Sequence, residues 1–546
     1  MRKIISPFSD YISGLDSKKL VIICVILIWI TYINSLGVYF IWDDYSSIVS
    51  NANIRNWSIK NIFKPMYQDD GSNIFKSPLY FRPLQILSYI LDYQVWKLNP
   101  FGYHITNVIL HTANAVLLYL LFLSLFNDRF FAFLGSALFG TNPIFTSSVT
   151  YISGRADILL LLFAILLILY FIKSIKENRL RPFYYGASLF CFICVLLSKE
   201  IGIICLTFLF LIDKLIYKYS ITITKNLIYL PYIMLMLLYR EIKPSLVLGW
   251  HITFPNMQNF IFYPLTIIKG ISIYFLLAIM PFNLHMGRSI TIVNSFMDKW
   301  SYISIIFLIV TIALFIFGIR KNKLFLVGLL WFFLPLFTTL VFNNLFARRA
   351  NEILLPEHNL YFAYPGLLIL FFSILSRLKT KLDIKRTTII LLLCVILPYM
   401  VLTVLENNRW QDEVGFYKRI VEYNKNSVFN FLTYANLGYA YEKVKKFQQA
   451  EQYFIKAAEF SEGDPYFYNT LANFYLRNRD IDKALNILNF SKDLDINFPQ
   501  THSLLGIAYM FKGETEEAKH NFKQVLLMEP NNKIAQYYLE LLKDKQ

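Results

Sequence analysis

The sequence predicts an all-α protein in two parts, a polytopic bundle of membrane helices followed by an α-solenoid of short helical repeats. Three observations predict it. The 546 residues are 56% hydrophobic and 17% aromatic, with 50 Phe and 37 Tyr, and a mean hydropathy of +0.46 is not that of an ordinary soluble chain. Apolar runs of about 17–25 residues recur, long enough to cross a bilayer. The tail after Leu405 is polar, and it repeats.

The apolar spans fall at 20–40, 105–126, 130–147, 157–172, 183–198, 201–217, 226–240, 262–281, 301–319, 324–342, 360–376 and 387–405. The first follows Arg2, Lys3, Lys18 and Lys19 without a small-residue cleavage site. That reads as a retained helix with a cytoplasmic N-terminus rather than a cleaved signal peptide. A long polar first loop, 41–104, carries Asp43, Asp44, Asp69, Asp70 and Arg82. Together these segments make a membrane domain over 1–405, and 406–430 reads as a linker helix.

The net charge is +17. Much of the surplus lies in short loops between spans: Lys173 to Arg181, Lys214 to Lys225, Arg320 to Lys323 and Arg377 to Arg386. This is the positive-inside signature, a topology signal. No basic patch stands on a recognisable nucleic-acid module, so nucleic acid is not an expected partner. The cysteines, Cys24, Cys191, Cys194, Cys205 and Cys394, all fall in apolar spans. Cys191 and Cys194 have CxxC spacing but no second pair or nearby His, and read as small buried hydrophobes.

In the tail, Leu437-Gly438, Leu471-Ala472 and Leu505-Gly506 recur every 34 residues, with Tyr441, Tyr475, Tyr509 and Ala450, Ala484, Ala518 in step. Small residues fall where two antiparallel helices must approach, and Pro530 ends the last unit. This is the tetratricopeptide pattern. It predicts three repeats over 431–532 and a capping helix near 533–544, within a domain spanning 431–546. Such arrays hold a protein or peptide on a concave surface.

If every basic loop is cytoplasmic, the chain crosses an even number of times between Lys225 and Arg320. Three apolar stretches stand there, so 226–240 or 262–281 is expected to be re-entrant or interfacial. Asp43/Asp44, the Gly154-Arg155-Ala156-Asp157 turn, Lys199-Glu200, Arg288, His358 and the repeats then share the outer face.

Adjacent carboxylates where a membrane helix meets water are costly. Asp43 and Asp44 offer acceptor-only oxygens, suited to general-base work or to a divalent metal; no other cofactor or metal site is expected. Arg82, in Tyr80-Phe81-Arg82-Pro83-Leu84, brings a planar fork suited to phosphate oxygens. Arg155, Lys199 and Arg288 stand at the outer edges of apolar stretches, where any one of them can snorkel. Facing the same side as an acidic pair, they describe a clamp for a lipid-linked phosphate whose head is held while a bond breaks beside it. His104 and His111 lie seven apart on one helix face with Asn107 between them. They read as polar helix glue or a substrate-facing edge, because no HExxH or third ligand accompanies them. No GxGxxG follows a strand and no GxxxxGK[ST] appears, so a lipid donor fits better than a nucleotide sugar.

These residues, in this order, resemble a known family. The resemblance rests on Phe40-Ile41-Trp42-Asp43-Asp44 with Ile48 and Asn51, then Arg82-Pro83-Leu84. It continues through Pro100-Phe101-Gly102-Tyr103-His104 with Asn107, His111 and Asn114, then Gly154-Arg155-Ala156-Asp157. Leu197-Ser198-Lys199-Glu200 with Gly202, and Glu357 with Leu360-Tyr361 and Pro365, complete it. Capped by repeats, this chain resembles the transmembrane-and-tetratricopeptide O-mannosyltransferases and their bacterial relatives, membrane glycosyltransferases of C-type fold. The resemblance implies a dolichol- or polyprenyl-phosphate sugar donor, usually of mannose, and transfer to protein serine or threonine outside the cytoplasm. Asp43 or Asp44 would be the acid/base residue; Arg82, Arg155 and Lys199 would be donor-phosphate or structural residues. Asp157, Glu200, Arg288, His358 and Tyr361 complete the candidate site. The chain departs from the family's pattern at Asn142, Phe145 and Ser147, where two histidines and a glutamate are common. It departs again at His358, in place of an arginine, and at Gly287, in place of an aspartate. High Ile, Asn, Lys and Phe content is compatible with an AT-rich bacterial genome, an undecaprenyl-type lipid and the inner membrane. Two alternatives stand beside the enzyme: a non-enzymatic membrane-anchored scaffold, and a transporter of lipid-linked sugars. The second fits less well, because the ionisable residues gather at one face rather than at the midplane.

Overall fold

The computed structural model describes residues 15–64, 80–175, 180–219, 226–242, 262–345, 352–378, 392–424, 427 and 430–543. Asp69, Asp70 and parts of the basic loops lie outside them. The described residues form two units, divided between Gln411 and Asp412.

The first unit is helical, and local chemistry sets its breaks. Helix α1 (Ser17–Tyr32) starts at Asp16, whose carboxylate accepts the Lys19 N–H at 2.8 Å, as an N-cap should. The first loop is not featureless: it holds α2 (Pro83–Trp96), begun by a proline that needs no donor in the first turn. Helix α3 (Pro100–Phe126) is capped by Asn99 and stops at Asn127 in the left-handed region. Helix α4 (Arg129–Gly140) is capped by Asp128. The apolar stretch expected over 130–147 is therefore only partly one helix. It ends at Gly140, and single turns at Pro143–Phe145 and Thr146–Val149 follow, because Pro143 cannot continue the ladder.

Next come α5 (Arg155–Ser174), α6 (Pro182–Ser198), α7 (Cys205–Ile212) and α8 (Leu230–Ile242), then α9 (Tyr263–Ile279) and α10 (Lys299–Lys321). Helices α11 (Lys323–Leu345), α12 (Leu360–Leu378) and α13 (Leu397–Gln411) complete the unit. Six helical stretches among the described residues are long and apolar enough to cross a membrane: 17–37, 100–126, 152–174, 299–321, 323–341 and 357–377. Helices α3, α5 and α12 pack at the centre, while α10 leaves Ile306, Ile309 and Ile312 bare, as a lipid-facing helix does. Helices α11 and α12 meet glycine to glycine: a Cβ on Gly366 would lie 2.7 Å from the Gly328 carbonyl oxygen. A short antiparallel ribbon, β1 (Ser289–Thr291) on β2 (Glu352–Leu354), pairs Ser289 with Leu354 and Thr291 with Glu352. Cys24, Cys191, Cys194 and Cys205 are buried thiols.

The second unit is α14 (Glu413–Tyr423), α15 (Asn430–Lys443), α16 (Phe447–Phe460), α17 (Pro465–Arg477), α18 (Ile481–Leu494), α19 (Pro499–Lys512), α20 (Thr515–Met528) and α21 (Lys533–Lys543). Ala450, Ala484 and Ala518 are fully buried, and Gly438 lies against Phe454 as Gly506 lies against Phe522. Successive repeats are tied by polar contacts. The Asn469 amide donates to Thr501 Oγ1 at 2.9 Å, and Arg477 pairs with Glu442 at 2.7 Å.

Candidate active site

The acidic pair sits on a turn after α1, and the turn separates its two members. Trp42 adopts φ 55°, a conformation that costs a bulky L-residue and persists where surrounding structure imposes it. Asp44 is fully buried. One carboxylate oxygen accepts the Ile41 N–H at 3.2 Å; the other accepts the Ser153 N–H at 2.8 Å and the Ser153 hydroxyl at 2.6 Å. Asp43 is exposed, and the Tyr151 hydroxyl and the Arg82 guanidinium favour its ionised form.

Loss of water raises the Asp44 carboxyl above the ordinary range, to about 7. Burial outweighs the Ser153 and Ile41 donors, and the neighbouring Asp43 charge adds to it.

Arg82 is the residue from which α2 departs. Its guanidinium lies over the Tyr80 ring at 4.0 Å and pairs with Glu200 at 3.5 Å. Lys199 closes α6 and pairs with Asp157, in the first turn of α5, at 2.7 Å. His358 comes in on the turn Glu357–Asn359, within electrostatic reach of Lys199, Asp157 and Arg82. Asp43, Arg82, Asp157, Lys199, Glu200 and His358 thus form one connected cluster. Buried polar atoms converge on it: Arg82 Nε, Tyr239 OH and His358 Nδ1 have no hydrogen-bond partner among the described residues. Arg82 Nε and Tyr239 OH are donors, whose burial without acceptors costs free energy, and an anion entering the cluster would satisfy them.

Other candidates prove to be structural. Arg155 is fully buried, paired with Asp92 at 2.6 Å. It donates to Asn107 Oδ1 at 2.7 Å, the Tyr103 carbonyl at 2.9 Å and Ser88 Oγ at 3.1 Å. With four contacts inside the protein and no exposed surface, it is a strut and not a phosphate ligand. His104 Nε2 meets the Val38 carbonyl at 2.9 Å. His111 lies between the Tyr361 hydroxyl, at 2.8 Å, and the Gly140 carbonyl, at 3.2 Å. Tyr361 also takes a hydrogen bond from Asn114 at 3.1 Å. His111 and Tyr361 are helix glue, while His104 Nδ1 is left without a hydrogen-bond partner among the described residues. Arg288 is joined to Glu357 at 2.8 Å, next to His358, rather than to the acidic pair.

A metal bridging Asp43 and Asp44 does not fit, because both Asp44 oxygens already accept protein donors. Among the described residues no three His, Cys, Asp or Glu side chains gather to hold one. The departures are built into the core: Asn142 caps Ile144 N–H at 3.1 Å, Ser147 bonds the Ile144 carbonyl at 2.9 Å, and Phe145 packs on Phe139 and Tyr361.

Sequence reasoning missed Tyr80, Tyr151, Ser153, Asp92 and Tyr239. Tyr80 and Ser153 adjoin motifs that were recognised, so proximity was an available signal; Asp92 carried none.

A tetratricopeptide repeat family model matches residues 432–464 and 499–532. The protein O-mannosyl-transferase TMTC3 of Mus musculus is 25% identical over 483 residues, covering 82% of this chain and 51% of that protein. The chain thus spans about half the length of this relative. Protein O-mannosyl-transferase TMTC1 of Mus musculus is 34% identical over 186 residues, 32% of this chain and 19% of the relative. Among solved structures, the first TPR of Spaghetti (RPAP3), bound to an HSP90 peptide, matches 22% of this chain and 97% of its own, at 24% identity and a TM-score of 0.21.

Proposed function

We propose that this chain, whose homologues are protein O-mannosyl-transferases, is itself a membrane glycosyltransferase. It moves a hexose, mannose first among them, from a polyprenyl-phosphate donor to a serine or threonine hydroxyl of a protein held by the repeats. The reaction takes place on the non-cytoplasmic face, and the positive-inside loops support that orientation. Composition supports a bacterial inner membrane.

The observation that carries the reading is the convergence of unsatisfied buried donors on a cluster that holds Arg82 and Lys199, each paired with a carboxylate, beside the exposed Asp43. Asp43 takes the proton of the acceptor hydroxyl while its oxygen attacks the anomeric carbon. The bond from that carbon to the phosphate oxygen breaks, and the polyprenyl phosphate leaves with the electron pair. Arg82 and Lys199 stabilise the charge that develops there, and His358 Nδ1 adds a hydrogen bond. Attack opposite the leaving group inverts the anomeric centre. Asp157 and Glu200 hold the two cations in place until donor phosphate competes for them.

The test is transfer of radiolabelled sugar from polyprenyl-phosphate mannose, then from other hexose donors, in membranes carrying wild type or Asp43→Asn. Transfer that vanishes in a folded Asp43→Asn supports the reading. Equal transfer in both removes Asp43 from the chemistry.

A further inference from the structure

We propose that the hydroxyl of Tyr239, on α8, binds the donor phosphate together with the Nε–H of Arg82, which makes α8 part of the donor site. This rests on the reading above, in which a lipid-linked phosphate enters the cluster around Arg82.

Tyr232 and Tyr239 stand seven residues apart, two turns along one face of α8. The opposite face carries Met234, Leu237 and Leu238, which are exposed. Tyr232 fixes the helix. Its ring packs on Phe192 of α6 at 5.4 Å and on Phe171 of α5 at 6.3 Å, and its hydroxyl shares a hydrogen bond with Ser188 Oγ at 2.5 Å. Just ahead of the helix, the Tyr185 hydroxyl donates to the Ile228 carbonyl at 2.6 Å. With its start held against α5 and α6, α8 delivers Tyr239 two turns further on. There its ring lies 6.2 Å from that of Phe81, the buried residue directly before Arg82. The Phe81 ring also meets Phe63, at 6.4 Å.

The two tyrosines differ in what their hydroxyls meet. That of Tyr232 has Ser188; that of Tyr239 is buried with no hydrogen-bond partner among the described residues. A phenylalanine would fill the same space without burying an unsatisfied oxygen, so the hydroxyl points to an acceptor that comes from outside the chain. Arg82 shows the same on its side. Its guanidinium lies over the Tyr80 ring at 4.0 Å and one terminal nitrogen reaches Glu200 at 3.5 Å, while Nε is buried without an acceptor. Tyr80 and Glu200 thus fix the fork and leave its Nε edge for a ligand. A phosphate oxygen suits both groups, taking a charge-assisted hydrogen bond from the guanidinium and another from the phenol.

The experiment compares the full chain as wild type, Tyr239→Phe, Tyr232→Phe and Asp43→Asn. It measures the melting temperature without donor, the donor KM of transfer, and the Kd for polyprenyl phosphate. Tyr239→Phe is expected to raise donor KM and this Kd about tenfold, with melting unchanged or higher, because the oxygen it removes has no partner in the donor-free protein. Tyr232→Phe is expected to do the reverse, melting lower and keeping its Kd within about twofold of wild type. Wild-type KM and Kd in Tyr239→Phe overturn the proposal. So does a Tyr239→Phe chain that melts as low as Tyr232→Phe or fails to fold, since its hydroxyl would then serve a partner inside the protein. Transfer from no polyprenyl-phosphate sugar, beside polyprenyl-phosphate binding that Tyr239→Phe weakens, sinks the parent reading alone. Transfer that Asp43→Asn abolishes, beside an unperturbed Tyr239→Phe, sinks this one alone.

Discussion

Arg155→Lys separates a strut from a substrate ligand, because lysine keeps the charge and loses the fork. Arg155 spreads its donors over Asp92, Asn107, Ser88 and the Tyr103 carbonyl. A single ammonium cannot reach all four at their present spacing. Removing one partner of a buried ion pair costs about 3–5 kcal/mol, and Arg155→Met is expected in that range. Arg155→Lys retains the attraction to Asp92 but gives up two or three hydrogen bonds, each worth roughly 0.5–1.5 kcal/mol, so about 2 kcal/mol is expected. Asp92→Asn in the Arg155→Met background should recover part of the loss, since the uncompensated carboxylate is then gone. The assay is thermal unfolding of the detergent-solubilised full chain, with donor KM measured on the same preparations. Wild-type melting of Arg155→Lys together with a donor KM raised tenfold would refute the strut, and would return Arg155 to the phosphate.

Three further outcomes follow from the geometry. Lys199→Met should raise donor KM about tenfold or more, because a cation facing the leaving phosphate is lost; an unchanged KM in the transfer assay removes Lys199 from the donor site. The folded value of Asp44, about 7, is raised from its ordinary 3.8, so its protonated form is favoured by folding. Its contribution is full below pH 3.8 and is lost as pH climbs through 7, by about 4 kcal/mol in total. Asp44→Asn should flatten the fall in melting temperature between pH 4 and 8, and parallel curves for the two proteins would contradict this. Gly438→Ala places a methyl 2.8 Å from the buried Phe454 ring. It should destabilise the repeats by about 1–3 kcal/mol, read as faster proteolysis of residues 412–546; unchanged proteolysis would show that the ring can shift.

The helices were legible from apolar length alone: α3 contains the run 105–126 and α4 opens at the run beginning at 130, while the caps Asn99 and Asp128, which fix where each helix starts, were not read. The repeats were legible because one spacing recurs in three residue types. The end of α4 was not, since apolar character continues past Gly140 through Pro143, Ile144 and Phe145, and hydropathy cannot see a missing N–H. The ribbon of β1 and β2 was invisible because three residues carry no alternation worth reading. In the site, residue type alone nominated Arg82, Lys199 and Arg155 equally. An arginine heading an apolar helix reads the same whether it faces a ligand or an aspartate, and Asp92 gave no sign of its partnership. Asp43 and Asp44 are chemically identical neighbours, and what distinguishes them is Ser153, a residue brought to them by the fold.

The Asp92–Arg155 pair also imposes an order of assembly. Asp92, which takes a hydrogen bond from Thr106 at 2.7 Å, leaves the ribosome with α2, well before α5 supplies its cation. Helices α3 and α4 must be laid down in between. Until Arg155 arrives, α2 carries a carboxylate that cannot settle among apolar surfaces without cost, so it is expected to stay undocked. The Ile152 and Ser153 carbonyls, which accept hydrogen bonds from Tyr89 and Gln85 of α2, can then gain those bonds only after α5 has been inserted. A nascent chain arrested after α4 would display an unpaired carboxylate, a mark by which cellular quality control could tell it from the finished protein.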